Sequence, residues 1–390
     1  MYARGVGPFT AIFVPDDLAE AVSDRAWLAA LLAAERALAR AQSLAGTLVA
    51  ADAEAIVELC DDPSRFDTGE LARLGRASGN PVVPLVQALR DGGAAAAHRG
   101  ATSQDILDTA AMLVAREALR LVDADLARLA DACARLADEH RGTVLAARTL
   151  LQQAVPTTFG HKAAGWLVGT LDARDRLRAV AESLPAQLGG AAGTLAAFGA
   201  AGPEVARLFA AELQLREPTV PWHTLRTPVA DVAGGLATAA GTAGKIATDV
   251  VLLAQTEVGE VAESEGGGSS TMPHKRNPVH AVVAIACERH ARANCALLFE
   301  SLVAEHERAA GAWHAEWHAL ATALAATGGA VAAAADSLGG LRVDVERMRS
   351  NISDDTLSEA RNLGFDTAAP DEYLGSVAMF IDRALARHHA

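Results

Sequence analysis

Between residues 119 and 136 the apolar side chains Leu119, Val122, Leu126, Leu129, Cys133 and Leu136 recur in steps of three and four. That spacing gathers them into one narrow stripe and predicts a long helix packed lengthwise against others. Gly142 is placed to stop it. Similar patterns predict helices over 167–184, 205–213 and about 235–265, and from Pro278 through Arg308 towards Trp317. The stretch 319–335 is uncharged, mostly alanine, and interrupted by Gly328-Gly329, which predicts a tightly packed helix pair rather than a membrane span. Strand-like alternation is scarce, and no repeat of 20–50 residues stands out. The chain is 51% hydrophobic but only 4% aromatic, a balance that favours closely packed helices over a β-sandwich. The expected fold is all-α: a long central helical bundle flanked by smaller helical domains. Glycine breakers at 92–93, 100 and 339–340 divide the 390 residues into an N-terminal helical domain (1–105), a central bundle (106–345) and a short C-terminal helical segment (346–390). Seams of small residues predict packing between copies as well as within one, hence a homo-oligomer.

The formal net charge of −14 disfavours nucleic acid and anionic membranes as partners. An anionic substrate therefore needs a local positive site. Lysine occurs only at 162, 245 and 275, so each position is a deliberate choice against a background of arginine. Cys60, Cys133, Cys287 and Cys295 have neither metal-ligand nor disulfide-framework spacing. With no apolar leader in MYARGVGPFT, a cytoplasmic protein is expected.

The run 266–278, GGGSSTMPHKRNP, is poor linker and good chemistry. Its glycines let backbone N–H groups approach an anion, and two serines, Lys275 and Asn277 can converge where charge builds on a carboxylate. The run resembles the G-S-S-x-M-P-x-K-x-N-P signature of the fumarase/aspartase/argininosuccinate lyase superfamily at every fixed position. A second run, His98-Arg99-Gly100-Ala101-Thr102-Ser103-Gln104-Asp105 with Asp108-Thr109, feeds a glycine turn into a helix N-terminus. Thr and Ser there suit either an ordinary cap or a carboxylate site. The run resembles the superfamily's T-S-x-D-x-x-D-T segment, which favours the carboxylate site. In 305–317, EHERAAGAWHAEW, His306 and Arg308 suit an anion, or else a solvated helix face. His314 and His318 are four apart but lack a third ligand, so no metal is expected.

The segment 148–160, RTLLQQAVPTTFG, resembles R-T-H-G-Q-x-A-x-P-T-T-F-G of adenylosuccinate lyases, with Leu150 replacing the histidine that moves a proton there. Pro156-Thr157-Thr158 on its own also reads as a helix start. In 78–84, SGNPVVP, Asn80 stands where those lyases carry a second histidine. Across most of 5–350 the chain is similar to the bacterial family of 3-carboxy-cis,cis-muconate lactonizing enzymes, of the protocatechuate branch of aromatic degradation. Between about 351 and 364 it is shorter than that family and lacks its G-R-x-x-A-H segment.

That resemblance implies intramolecular addition of a carboxylate to a conjugated double bond, without a cofactor. It implies Ser269 for proton transfer and Lys275 for electrostatic stabilisation, assisted by Asn277. Thr102, Ser103 and Gln104 would hold a substrate carboxylate, with His98, His306 and Arg308 nearby and Gln152 and Thr157 as further binding groups. The substrate would be a small polycarboxylate, and the oligomer a homotetramer whose sites draw on several subunits. A fumarate-releasing lyase of the adenylosuccinate type and a non-catalytic helical scaffold are the alternatives. Leu150 and Asn80 weigh against the first, the intact loop against the second.

Overall fold

The computed structural model describes residues 10–264, 267–268, 272, 275–367 and 369–390. Its architecture is all-α, dominated by five long helices: Ser103–Glu139, Phe159–Ser183, Thr227–Leu253, Val279–Glu300 and Ala312–Gly339. The predicted seam residues Leu119, Val122, Leu126, Leu129, Cys133 and Leu136 are all buried. The four cysteines are buried, and burial pushes the thiols up, Cys60 to about 12 and Cys287 to about 11.

Several boundaries differ from the sequence expectation. The helix expected over 235–265 is Thr227–Leu253, because Pro228 sits in its first turn and Gly259, at φ 63°, turns the chain out after its end. Residues Val261–Glu263 then pair with Leu341–Val343 as a short antiparallel ladder. The helix expected to run through Arg308 stops at Glu300, and a new one starts at Ala312 after Gly311 at φ 113°. Gly328-Gly329 break nothing: Ala312–Gly339 is continuous. Each glycine costs about 1 kcal/mol in a helix, but Ala323, Leu324, Ala330, Val331 and Ala334 around the pair are wholly buried and hold the helix together. Thr227–Leu253 and Ala312–Gly339 are long and apolar enough to cross a membrane, yet the most apolar window of the latter is 78% buried inside the protein, as a core helix is.

The sequence also hid a hairpin. Val144–Thr149 and Gln152–Thr158 pair antiparallel around a two-residue turn, Leu150-Leu151, with a bulge between Ala146 and Arg148. Pro156 and Thr157 end a strand; the helix start is at Phe159, where the Thr158 hydroxyl accepts the N–H of His161 at 3.1 Å.

The chain divides into two compact units, 1–121 with 177–236 and 293–325, and 122–176 with 237–292 and 326–390. In the first, Asp24–Leu44 packs against Ala50–Cys60 and Gly202–Leu213, its start capped by Ser23, which accepts the Ala26 N–H at 3.1 Å. In the second, Ala240, Ala291 and Ala326 form a cluster in which methyl-sized side chains let three helices approach closely.

Candidate active site

In the first unit the candidates converge at the start of Ser103–Glu139. Gly100, at φ 83°, turns the chain into this helix, and a Cβ there would lie 2.8 Å from the Phe198 ring. The buried Asp105 carboxylate locks the turn. It accepts the N–H groups of Thr102 (2.9 Å), Gly189 (2.8 Å) and Gly190 (2.9 Å) and faces His223 Nε2 at 2.7 Å. Thr102 and Ser103 are left half-buried at the rim. The exposed Arg308 guanidinium donates to Thr102 Oγ1 (3.1 Å), Gln104 Oε1 (3.2 Å) and the Ala191 carbonyl (3.1 Å). Thr102, Gln104 and Arg308 are thus brought together.

Gln104 is placed behind that rim. It is buried, and its amide donates to Asp108 Oδ2 at 3.1 Å and the His223 carbonyl at 2.8 Å. With Arg308 on its oxygen, it holds Arg308 in place and has little left to offer a ligand. Asp108 belongs to a buried cluster that sequence reasoning missed. It takes Arg226 through two nitrogens, at 2.7 and 3.1 Å, and Trp313 Nε1 at 2.9 Å; the other edge of Arg226 meets Glu316. Burial works against the Arg226 charge, but Asp108 and Glu316 outweigh it and keep the guanidinium protonated. Arg226 also lies over the Trp222 ring, 4.8 Å from its centroid. The legible signal was Glu316 and Arg226 beside tryptophans in otherwise apolar helix patterns.

His98 lies in the same unit, its Nδ1 2.6 Å from the buried Glu35. His306 is exposed with φ 48°, and its carbonyl accepts the Thr224 hydroxyl at 2.8 Å. His314 packs its ring against Trp313 and Trp317, at 5.0 and 4.8 Å. No cluster of three metal-ligating side chains occurs among the described residues.

In the second unit the signature run is closed at its base by pairing Gly267 with Asn277 and Gly268 with Arg276. Gly267 is demanded by space: a Cβ there would sit 2.5 Å from Val279 Cγ2. The buried Glu263 carboxylate accepts the N–H groups of His280 (3.1 Å) and Ala281 (2.9 Å), fixing the N-terminus of Val279–Glu300 just after the run. Lys275, exposed, and Asn277 line a cavity of about 970 Å³ with Gln255, Thr256 and Glu263. Ser269 lies outside the described residues. Gln152 is exposed at the hairpin turn, and the Thr157 hydroxyl contacts His161 Nδ1 at 3.2 Å. Arg148 pairs through two nitrogens with the fully buried Glu260, at 2.6 and 3.0 Å, and Asn351 adds a donor at 2.9 Å. The Gln153 side chain clamps the Asn351 carbonyl and the Ser353 N–H. Lys162 is held below the usual lysine range by burial, offset by Asp249.

Residues 14–290 match the family model described as lyase. The chain belongs to the lyase family. Among relatives of this lyase, nitrosuccinate lyase of Streptomyces davaonensis is 50% identical, over 85% of the chain and 74% of the relative. The 3-carboxy-cis,cis-muconate cycloisomerase of Bradyrhizobium diazoefficiens is 47% identical, over 85% and 76%. That of Pseudomonas aeruginosa is 38% identical, over 98% and 96%, in an alignment of 443 positions. The alignment is longer than this chain, so the relative carries insertions that the chain does without. The crystal structure of the 3-carboxy-cis,cis-muconate lactonizing enzyme from Pseudomonas putida superposes with a TM-score of 0.91 at 36% identity, covering 98% of this lyase and 99% of that chain.

Proposed function

We propose that this lyase is a cycloisomerase that converts 3-carboxy-cis,cis-muconate to a carboxymuconolactone, in the protocatechuate branch of the β-ketoadipate pathway. The observation carrying this reading is the near-complete superposition, along both chains, on a lactonizing enzyme. One carboxylate oxygen of the substrate attacks a double bond conjugated with a second carboxylate. A C–O bond forms, the π electrons move onto that second carboxylate as an enediolate, and a proton is delivered to the adjacent carbon. The nucleophile is already attached, so the protein's task is to hold a reactive conformer and stabilise the growing charge.

Thr102, Ser103 and Arg308 hold a substrate carboxylate, Gln104 orients Arg308, and His98 and His306 border them. Lys275, with Asn277, meets the enediolate, and Ser269 moves the proton; neighbouring positive charge is what activates a serine for this. Gln152 and Thr157 contribute from the hairpin. The working form is a cytoplasmic homotetramer in which each site draws on more than one copy of the chain.

The test is to follow loss of the diene's ultraviolet absorbance with 3-carboxy-cis,cis-muconate and identify the product as lactone. A second reading rests on the 50% identity to nitrosuccinate lyase. The same site would then abstract a proton from nitrosuccinate, expel nitrite and leave a butenedioate. Nitrite release from nitrosuccinate without lactone formation would establish that reading instead.

A further inference from the structure

Helix Asp24–Leu44 buries a stripe of leucines, Leu28, Leu31, Leu32 and Leu38, and sets two polar residues, Glu35 and Gln42, in the same stripe one heptad apart, at 1% and 2% exposure. A buried carboxylate is strongly unfavourable unless something repays its lost hydration. Both polar groups are spent on one short loop. Gln42 Nε2 donates to the Arg99 carbonyl at 2.9 Å, and Glu35 Oε1 lies 2.6 Å from His98 Nδ1. The other oxygen, Glu35 Oε2, is buried with no hydrogen-bond partner. A residue kept only to complete a polar network would not leave half its capacity unmet. What the pairing secures is the imidazole.

His98 has φ 65°, a conformation that costs a non-glycine residue energy and persists only where its surroundings enforce it. Its side chain is 14% exposed, and Nε2 makes no hydrogen bond among the described residues. With Nδ1–H held by a carboxylate, Nε2 accepts in the neutral ring and donates once the ring is protonated. The loop that carries it leads directly to Thr102 and Ser103.

We propose that Glu35 is a positioning residue that holds His98 in this left-handed turn as an imidazolium, making His98 a fixed cationic donor for a substrate carboxylate. This rests on the reading of Thr102, Ser103 and Arg308 as the carboxylate-binding rim. In a chain of net charge −14, a further fixed cation beside Arg308 strengthens the local positive site that a polyanionic substrate needs. The charged groups around His98 come from three helices: Glu35, Asp105 from Ser103–Glu139, and Arg90 from Val82–Asp91. Burial pushes His98 down, and Arg90 adds to that, but Glu35 and Asp105 outweigh both and leave it above the ordinary histidine range.

The test is proton NMR titration of the full-length protein labelled with ¹³C at histidine Cε1, with the His98 signal assigned by its loss in His98→Gln. In the native chain His98 should titrate above the ordinary value of about 6.5, and in Glu35→Gln its midpoint should fall by about one unit or more. In the same variant the apparent KM for the carboxylate substrate should rise about tenfold or more near pH 7, with kcat changed far less. Glu35→Asp should recover part of both. A His98 that is neutral at pH 7 in the native chain overturns the proposal, and this holds even if Glu35→Gln fails to fold. So does an unmoved His98 midpoint in a folded Glu35→Gln. The titration needs no substrate, so a raised His98 midpoint without lactone formation would fault the assigned reaction and leave the Glu35–His98 pair standing.

Discussion

In the proposed reaction, Lys275 and Arg308 act on a polyanion in different ways. Arg308 is already oriented by Thr102 and Gln104, so on this proposal its charge would meet the substrate from the ground state onward. Arg308→Ala should raise KM about ten- to a hundredfold with a smaller loss in kcat, read from steady-state kinetics. Lys275 is exposed, and no side chain among the described residues holds it in that way. A group whose value lies in the transition state acts on turnover, so Lys275→Met should lower kcat about a hundredfold or more while KM stays within a few fold. A loss confined to KM would remove Lys275 from the charge-stabilising role. Ser269→Ala should abolish most turnover with the helical circular dichroism intact. At the same scale, the Glu35–His98 pair links stability to pH. His98 is raised above its unfolded value, so its contribution is full below about pH 6.5 and is lost as pH rises through the folded value. The stability advantage of the native chain over Glu35→Gln in urea should therefore be largest near pH 6 and shrink towards pH 9.

Among the elements, the β-hairpin is where sequence and structure part most clearly. Leu150 and Leu151 occupy a two-residue turn with φ 52° and 65°, and are 97% and 71% exposed. Such turns favour Asn-Gly, because leucine pays for a left-handed backbone. Nothing in the local sequence announced a turn, and Pro156-Thr157-Thr158 read equally well as a helix start. Leu150→Asn with Leu151→Gly should stabilise the fold by about 1 kcal/mol in thermal unfolding. If the exposed leucines serve the reaction, the same change should lower turnover; unchanged turnover would make the hairpin tip a bystander. The hairpin's base is fixed by charge. Arg148→Ala strips buried Glu260 of its two-nitrogen partner and leaves Asn351 as its side-chain hydrogen-bond donor among the described residues, at a cost of about 3 kcal/mol by urea denaturation. Legible helices were those with a sustained stripe, as in 119–136. Their ends were misplaced where single residues decide: Pro228 in a first turn, or Gly259 and Gly311 at positive φ.

For the whole molecule, composition and periodicity were enough for an all-α fold, because alanine-rich seams leave few other ways to bury so much apolar surface. The site was legible in part. The proposed rim, Thr102, Ser103 and Arg308, sits in motifs whose residue types suit an anion. The buried charges of each unit, Glu35, Asp108 and Arg226 in the first and Glu260 and Glu263 in the second, were not legible, since a buried charge is recognisable only when its partner from a distant segment is in place. The shorter length relative to the Pseudomonas aeruginosa enzyme bears on the tetramer proposed here. If each site draws on several copies as proposed, activity per chain should fall on dilution in step with dissociation followed by light scattering. The most direct measurement is to incubate the enzyme with 3-carboxy-cis,cis-muconate in D₂O and follow both carbon and proton spectra. The expected product is a single lactone carrying one deuterium on the carbon next to the carboxylate that received the electrons. An unchanged muconate, with nitrite released from nitrosuccinate under the same conditions, would contradict it.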